Sequence, residues 1–153
     1  MELSLFFDKL LAVNWVEKDH QRDVWINDGA EKLLMDLKVA IKDAAETFDR
    51  IYRSKSDPEL SMDCSPNRLT LGRSVPGSRS EGLRHAQAEV LFDVTGQTVT
   101  AIFTHSKAAK VILRIDAEDG KVFLRDEGHN PIPDADTASR ILLKSFLNGL
   151  RLN

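Results

Sequence analysis

Apolar residues recur at spacings of three and four positions in the first third of the chain, which predicts two helices there. The first helix is predicted over residues 3–18. The polar segment that follows surrounds Trp25 and Ile26, and we expect it to turn the chain while these two residues anchor it to the core. The second helix is predicted over residues 28–52, with Asp28 as its N-cap.

The second predicted helix carries an apolar stripe that must be covered for the helix to be stable. The sheet together with the first helix could cover this stripe, or a second copy could cover it in a coiled-coil dimer. The stripe is wider than a coiled-coil seam, which favours the first alternative. Helical spacing returns after the segment EGHNPIPD and predicts a C-terminal helix with Asp134 or Asp136 as its N-cap.

Between the helices, every second residue from about position 84 is apolar, as in strands that cover a core with one face. Turns at 95–96, 106–108 and 119–120 keep this face apolar and predict an antiparallel meander of four strands, with residues 67–73 as a weaker fifth strand. The predicted pairs are Phe92 with Val99, Val90 with Ala101, Ala88 with Phe103, Phe103 with Val111, Ala101 with Leu113, Val99 with Ile115, Ile115 with Leu124 and Ala117 with Val122.

These elements predict a single α+β domain over residues 1–153. It comprises two N-terminal helices, an antiparallel meander of four to five strands and a C-terminal helix. The helices are expected to lie on one face of the sheet, giving two layers. Residues 54–67 and 74–84 are rich in Pro, Ser and Gly and are predicted as loops.

Composition restricts the environment in which the chain works. Apolar residues make up 42% and charged residues 29%, as in soluble globular proteins. The single cysteine excludes an internal disulfide and fits a reducing compartment. No apolar run approaches the roughly 20 residues that cross a bilayer, and Glu2 and Asp8 stand where a signal peptide carries basic residues. We therefore expect a cytoplasmic protein with no membrane partner.

The segment LGRSVPGSRSEGLRHA, residues 71–86, imitates the glycine spacing of a phosphate-binding loop but lacks its lysine and its following helix. The net charge of the chain is −3, which disfavours nucleic acid, although residues 50–84 carry seven basic against four acidic residues. This region could contact an anion, an acidic protein or, less favourably, nucleic acid, because it has no aromatic residue for base stacking. Its candidate binding residues are Arg68, Arg73, Arg79 and Arg84.

Catalytic and metal-binding patterns are missing from the sequence. The histidines and the cysteine show no ligand spacing, and no nucleophile motif or carboxylate pair is present. We therefore expect no catalytic residue, no metal and no cofactor, and a protein that is not an enzyme. A cavity between the helices and the sheet, near His105, Trp15 and Trp25, is the alternative that would hold a small ligand or a substrate.

The face of the sheet turned away from the helices, here called the outer face, should meet solvent but carries several large apolar residues. An apolar centre with a charged rim has the composition of a protein interface. The predicted interface residues are Leu91, Ile102, Ile112, Phe123, Arg114 and Arg125. In the predicted register Ile102 lies opposite Ile112, and either the loop over 74–84 or the C-terminal helix could cover the patch.

The sequence therefore favours a small protein-binding or adaptor module of the chaperone or immunity type. Its partner would be another protein or a second copy of itself in a homodimer. The ligand or enzyme cavity and the arginine-rich loop remain the two alternatives.

Overall fold

The computed structural model describes residues 2–53, 59–76, 83–104 and 110–152, and it describes side chains from residue 14 onward except at 74–76, 83–85 and 152. Two helices flank a run of strands. In chain order the elements are α1 (Glu2–Tyr52), β1 (Ser61–Ser65), β2 (Arg68–Pro76), β3 (Leu83–Asp93), β4 (Thr98–Phe103), β5 (Val111–Glu118), β6 (Lys121–Arg125), β7 (Pro131–Ile132) and α2 (Ala135–Leu152).

The prediction of two N-terminal helices is wrong, because α1 is one continuous helix of 51 residues. The polar segment taken for a turn runs through it and finds polar partners at one end of the sheet. Gln97 Nε2 donates to Asp23 Oδ1 at 2.9 Å, and Arg22 stands 3.9 Å from the Asp116 carboxylate. The predicted N-cap Asp28 is an exposed residue inside this helix.

Within the described ranges the sheet has seven strands rather than four or five, and each strand pairs antiparallel with the next in chain order. Strand β1 lies inside the predicted loop 54–67, and β2 and β3 extend into the predicted loop 74–84. Pairing with β2 makes β1 a strand despite its turn-forming residues: Ser61 Oγ donates to the carbonyl of Gly72 at 2.9 Å. The two-residue strand β7 completes the other edge.

The predicted registers of β3 with β4 and of β5 with β6 are confirmed, including Phe92 opposite Val99. The register of β4 with β5 is wrong by two residues, since Val99 faces Leu113 rather than Ile115. A shift of two residues keeps the same side chains on the same face, so alternation alone cannot detect it.

Both helices contribute to the core on one face of the sheet, and the predicted α+β class with an antiparallel sheet is confirmed. Asp134 caps α2, since its Oδ1 accepts from the backbone N–H of Thr137 at 2.7 Å. Helix α1 approaches β6 closely, because a Cβ placed on Gly29 would lie 2.6 Å from Val122 Cγ2. Fully buried side chains of the core include Ile26, Leu37, Ile41, Leu69, Leu71, Val90, Val99, Leu113, Leu142 and Leu143.

Candidate functional site

Three apolar side chains form a cluster at the centre of the outer face, here called the outer patch: Leu91, Ile102 and Ile112. Leu91 on β3 and Ile112 on β5 face the two sides of Thr100, and Ile102 is the next residue of β4 on the same face. Ile102 is 39% exposed, and the other two side chains are half-buried. The register correction therefore preserves the cluster, although Ile102 faces Glu89 rather than Ile112.

Helix α2 does not cover the outer patch, because its apolar residues Leu142, Leu143 and Phe146 belong to the core on the opposite face. Of the loop predicted over 74–84, residues 77–82 lie outside the part of the chain that the structure describes. The prediction that this loop covers the patch therefore stays a prediction.

Charged residues border the outer patch on several sides. Arg68 Nε and Glu89 Oε1 form an ion pair of 2.7 Å on the β2 side. Arg114 is exposed on β5, and Glu127 Oε1 accepts from the backbone N–H of Ile112 at 3.2 Å. The rim thus offers charges of both signs around an apolar centre, a composition typical of protein interfaces.

Phe123, a further predicted interface residue, lies apart from the outer patch, whereas the predicted interface residue Arg125 faces the rim residue Arg114. Phe123 faces Asp116, which is four residues, or roughly 13 Å, along β5 from Ile112. The Arg125 guanidinium stands 4.8 Å from the centre of the Phe123 ring. Phe123 is therefore partly covered by the chain itself.

Arg125 is held by acceptors within the chain. Its Nε donates to Asp116 Oδ2 at 2.6 Å, and its other nitrogens donate to the His129 carbonyl at 3.0 Å and to Glu118 at 3.2 Å. Partial burial of the Asp116 carboxyl opposes ionisation. The hydrogen bonds from Arg125 and from the Ala117 N–H, with the charges of Arg125 and Arg22, outweigh it and lower the pKa of Asp116.

Two of the four candidate arginines of the basic region form ion pairs with carboxylates of the chain itself. Arg68 pairs with Glu89, as described above. Arg73 lies on the core side of β2, is only 6% exposed and forms a buried ion pair with Asp49 of α1. Arg79 and the side chain of Arg84 lie outside the described residues, so their predicted contacts stay predictions.

The described residues do not bring Trp15 and Trp25 together around a cavity. Trp15 is 67% exposed, whereas Trp25 is half-buried against the core ten residues further along α1. His105 lies outside the described residues.

A groove that the sequence analysis did not predict runs between the second half of α1 and α2. Its volume is about 440 Å³. Ala44 lines this groove, and Ile51 on the same helix is 61% exposed. The apolar lining consists of Ala40, Ala44, Phe48, Tyr52, Leu143 and Leu147.

Two further findings concern only the ranges that the structure describes. No group of three or more His, Cys, Asp and Glu side chains in these ranges could hold a metal ion. None of their helices combines the length and the apolar character that a bilayer crossing requires.

Comparison with known proteins produced no match among family models, curated proteins or solved structures.

Proposed function

We propose that this chain is a protein-binding module that takes a partner protein on the outer face of its sheet. What supports the proposal is the outer patch: a sheet covered by helices on one face carries three neighbouring large apolar side chains at the centre of the other. Leaving Ile102 39% exposed to water is unfavourable, and a partner surface would remove this cost.

The dimensions of the outer face suit a partner of ordinary size. Six strands, β1 to β6, at a spacing of about 4.8 Å make the face roughly 24 Å wide. The central strand β3 has 11 residues, which corresponds to about 36 Å. The other five strands have five to nine residues, so the face covers roughly 700 Å², close to the roughly 800 Å² per partner that a stable complex buries.

The charges of the rim define the chemistry of the partner. The partner would insert one or more apolar side chains between Leu91, Ile102 and Ile112, and it would present a carboxylate to Arg114. Glu89 is engaged with Arg68, so this pair excludes partners that place a like charge against either residue. Apolar contact at the centre supplies the affinity, and the rim selects the partner.

The test replaces Ile102 with lysine in the tagged full-length chain. Lysine at position 102 faces Glu89, so the strand pairing is retained while the apolar centre gains a charge. The matched control is Val39→Lys, which puts the same charge on a 53% exposed apolar residue of α1. Circular dichroism and thermal melting establish that both variants fold.

Chemical crosslinking in cells identifies proteins held by the wild type, and binding is then measured with the purified partner. We expect Ile102→Lys to weaken that binding at least tenfold, as expected for a residue at the centre of an interface, while Val39→Lys leaves it unchanged. A partner bound equally by wild type and Ile102→Lys would refute the proposal. So would a wild-type chain that crosslinks to no other protein, or only to a second copy through this face.

A further inference from the structure

The first described side chains of α1, at residues 14–18, are all exposed. A helix of 51 residues is about 76 Å long, and the first fully buried side chain among those described on it is Ile26. Trp15 and Val16 are 67% and 57% exposed. The sequence places further apolar residues on the same helix at positions 3, 6, 7, 10, 11 and 13.

A helical segment of this kind needs a covering surface, because isolated helices of about 15 residues are marginal in water. The groove between α1 and α2 has the matching properties. It is apolar, has a volume of about 440 Å³ and follows α1 from Ala40 to Tyr52, which corresponds to about 18 Å of helix. A segment of about 12 helical residues has the same length.

The segment cannot fill the groove of its own chain. Residues 10 and 44 lie on one continuous helix, and 34 residues correspond to about 51 Å along its axis. The segment can therefore enter only the groove of another copy.

The charges of the two surfaces are complementary. Residues 2–17 carry three carboxylates against one lysine. The border of the groove carries three basic residues against two acidic ones: Arg140, Lys144 and Arg151 against Asp43 and Asp136. Opposite net charges favour the encounter and orient the segment in the groove.

We infer that two copies of this chain form a reciprocal dimer in which about 12 helical residues within the segment 2–17 of each copy occupy the α1–α2 groove of the other. Each copy contributes the same segment and the same groove, so the assembly closes with twofold symmetry instead of forming a filament. This contact is separate from the outer patch and leaves that patch free in both copies.

Sedimentation velocity of the full-length chain at concentrations up to about 100 µM tests the inference. The wild type is expected to be a dimer. Ala44→Glu obstructs the groove with a good helix former that carries the charge of the segment, and Phe7→Asp disrupts the segment. Each variant is expected to weaken dimerisation at least tenfold. Ile102→Lys, on the outer patch, is the control that should leave the dimer intact.

Mixing the two variants distinguishes this dimer from a simple pairing of the extended helices. An Ala44→Glu chain still has an intact segment, and a Phe7→Asp chain still has an intact groove, so their equimolar mixture regains one of the two contacts. Native mass spectrometry should therefore detect a mixed dimer where each variant alone is monomeric. A monomeric wild type, a dimer that tolerates Ala44→Glu, or variants that fail to associate on mixing would overturn the inference. Failure of the outer-patch proposal would change none of these readouts.

Discussion

The close approach of α1 to β6 at Gly29 gives a prediction whose sign the structure determines. Replacing a helix-interior glycine with alanine ordinarily stabilises a protein by about 0.5–1 kcal/mol, because alanine loses less backbone entropy on folding. At position 29, however, the new Cβ would lie 2.6 Å from Val122 Cγ2 and 3.3 Å from its Cβ. A valine side chain is short and rotationally restricted, so relief requires the helix or the strand to move.

Overpacking of this kind costs roughly 1–3 kcal/mol, which exceeds the gain in helix propensity. We therefore expect Gly29→Ala to be destabilising by about 1 kcal/mol and to lower Tm by roughly 2–4 °C for a domain of this size. The matched control is Gly149→Ala in α2, where a Cβ meets nothing within 4 Å. That substitution should stabilise the chain by about 0.5–1 kcal/mol.

Urea denaturation at one fixed protein concentration measures both changes, and a double-mutant cycle with Val122→Ala isolates the contact. Val122→Ala removes the contact of 2.6 Å to Cγ2 and leaves the one of 3.3 Å to Cβ, so Gly29→Ala should cost clearly less in that background than in the wild type. If Gly29→Ala stabilises the wild type as much as Gly149→Ala does, or costs the same with and without Val122, the steric argument is refuted.

Three further predictions follow from charged groups. The lowered pKa of Asp116 contributes stability that is present above its unfolded pKa of about 3.9 and is lost as the pH falls through the lower folded pKa. We therefore expect Asp116→Asn to flatten the decline in Tm between pH 5 and pH 2, as measured by calorimetry. Hydrogen bonds from Thr137 lower the pKa of Asp134, so this carboxylate should also contribute stability that is lost as the pH falls. Asp134→Ala should reduce the protection of backbone amides near the start of α2 in hydrogen exchange. Asp49→Ala leaves Arg73 buried without its carboxylate and should cost about 3 kcal/mol in urea denaturation, whereas unchanged stability would show that the pair is not closed in solution.

The sheet could be predicted closely where alternation and turns agree. Phe92 and Val99 are placed opposite each other by a short turn, and any one-residue slip would expose apolar side chains, so only one register remained. Between β4 and β5 the connection is longer and a slip of two residues keeps the same face buried, so Val99 was paired with Ile115 instead of Leu113. The prediction of apolar residues on the outer face did not depend on this register, because Ile102 and Ile112 lie on the same face in either one.

The long helix and its groove could not be predicted from the pattern of residues. Arg22 and Asp23 make the helix look like a turn, since their partners Asp116 and Gln97 lie more than 70 residues away in sequence. The groove depends on where α2 packs relative to Ala44. The sequence pattern of a small apolar residue does not distinguish a position in the core from one that lines a groove. Long-range contacts decide both features.

The strictly sequential order of the strands has a consequence for synthesis on the ribosome. Each strand from β2 onward pairs with the one made just before it, so the sheet can grow through contacts between neighbours in sequence, which form quickly. Helix α1 leaves the ribosome before the strands, yet most of its core contacts are with β5, β6 and α2, which are made later. The apolar stripe of α1 therefore stays largely uncovered until these elements have been made, and the nascent chain is exposed to aggregation until α2 can pack on it.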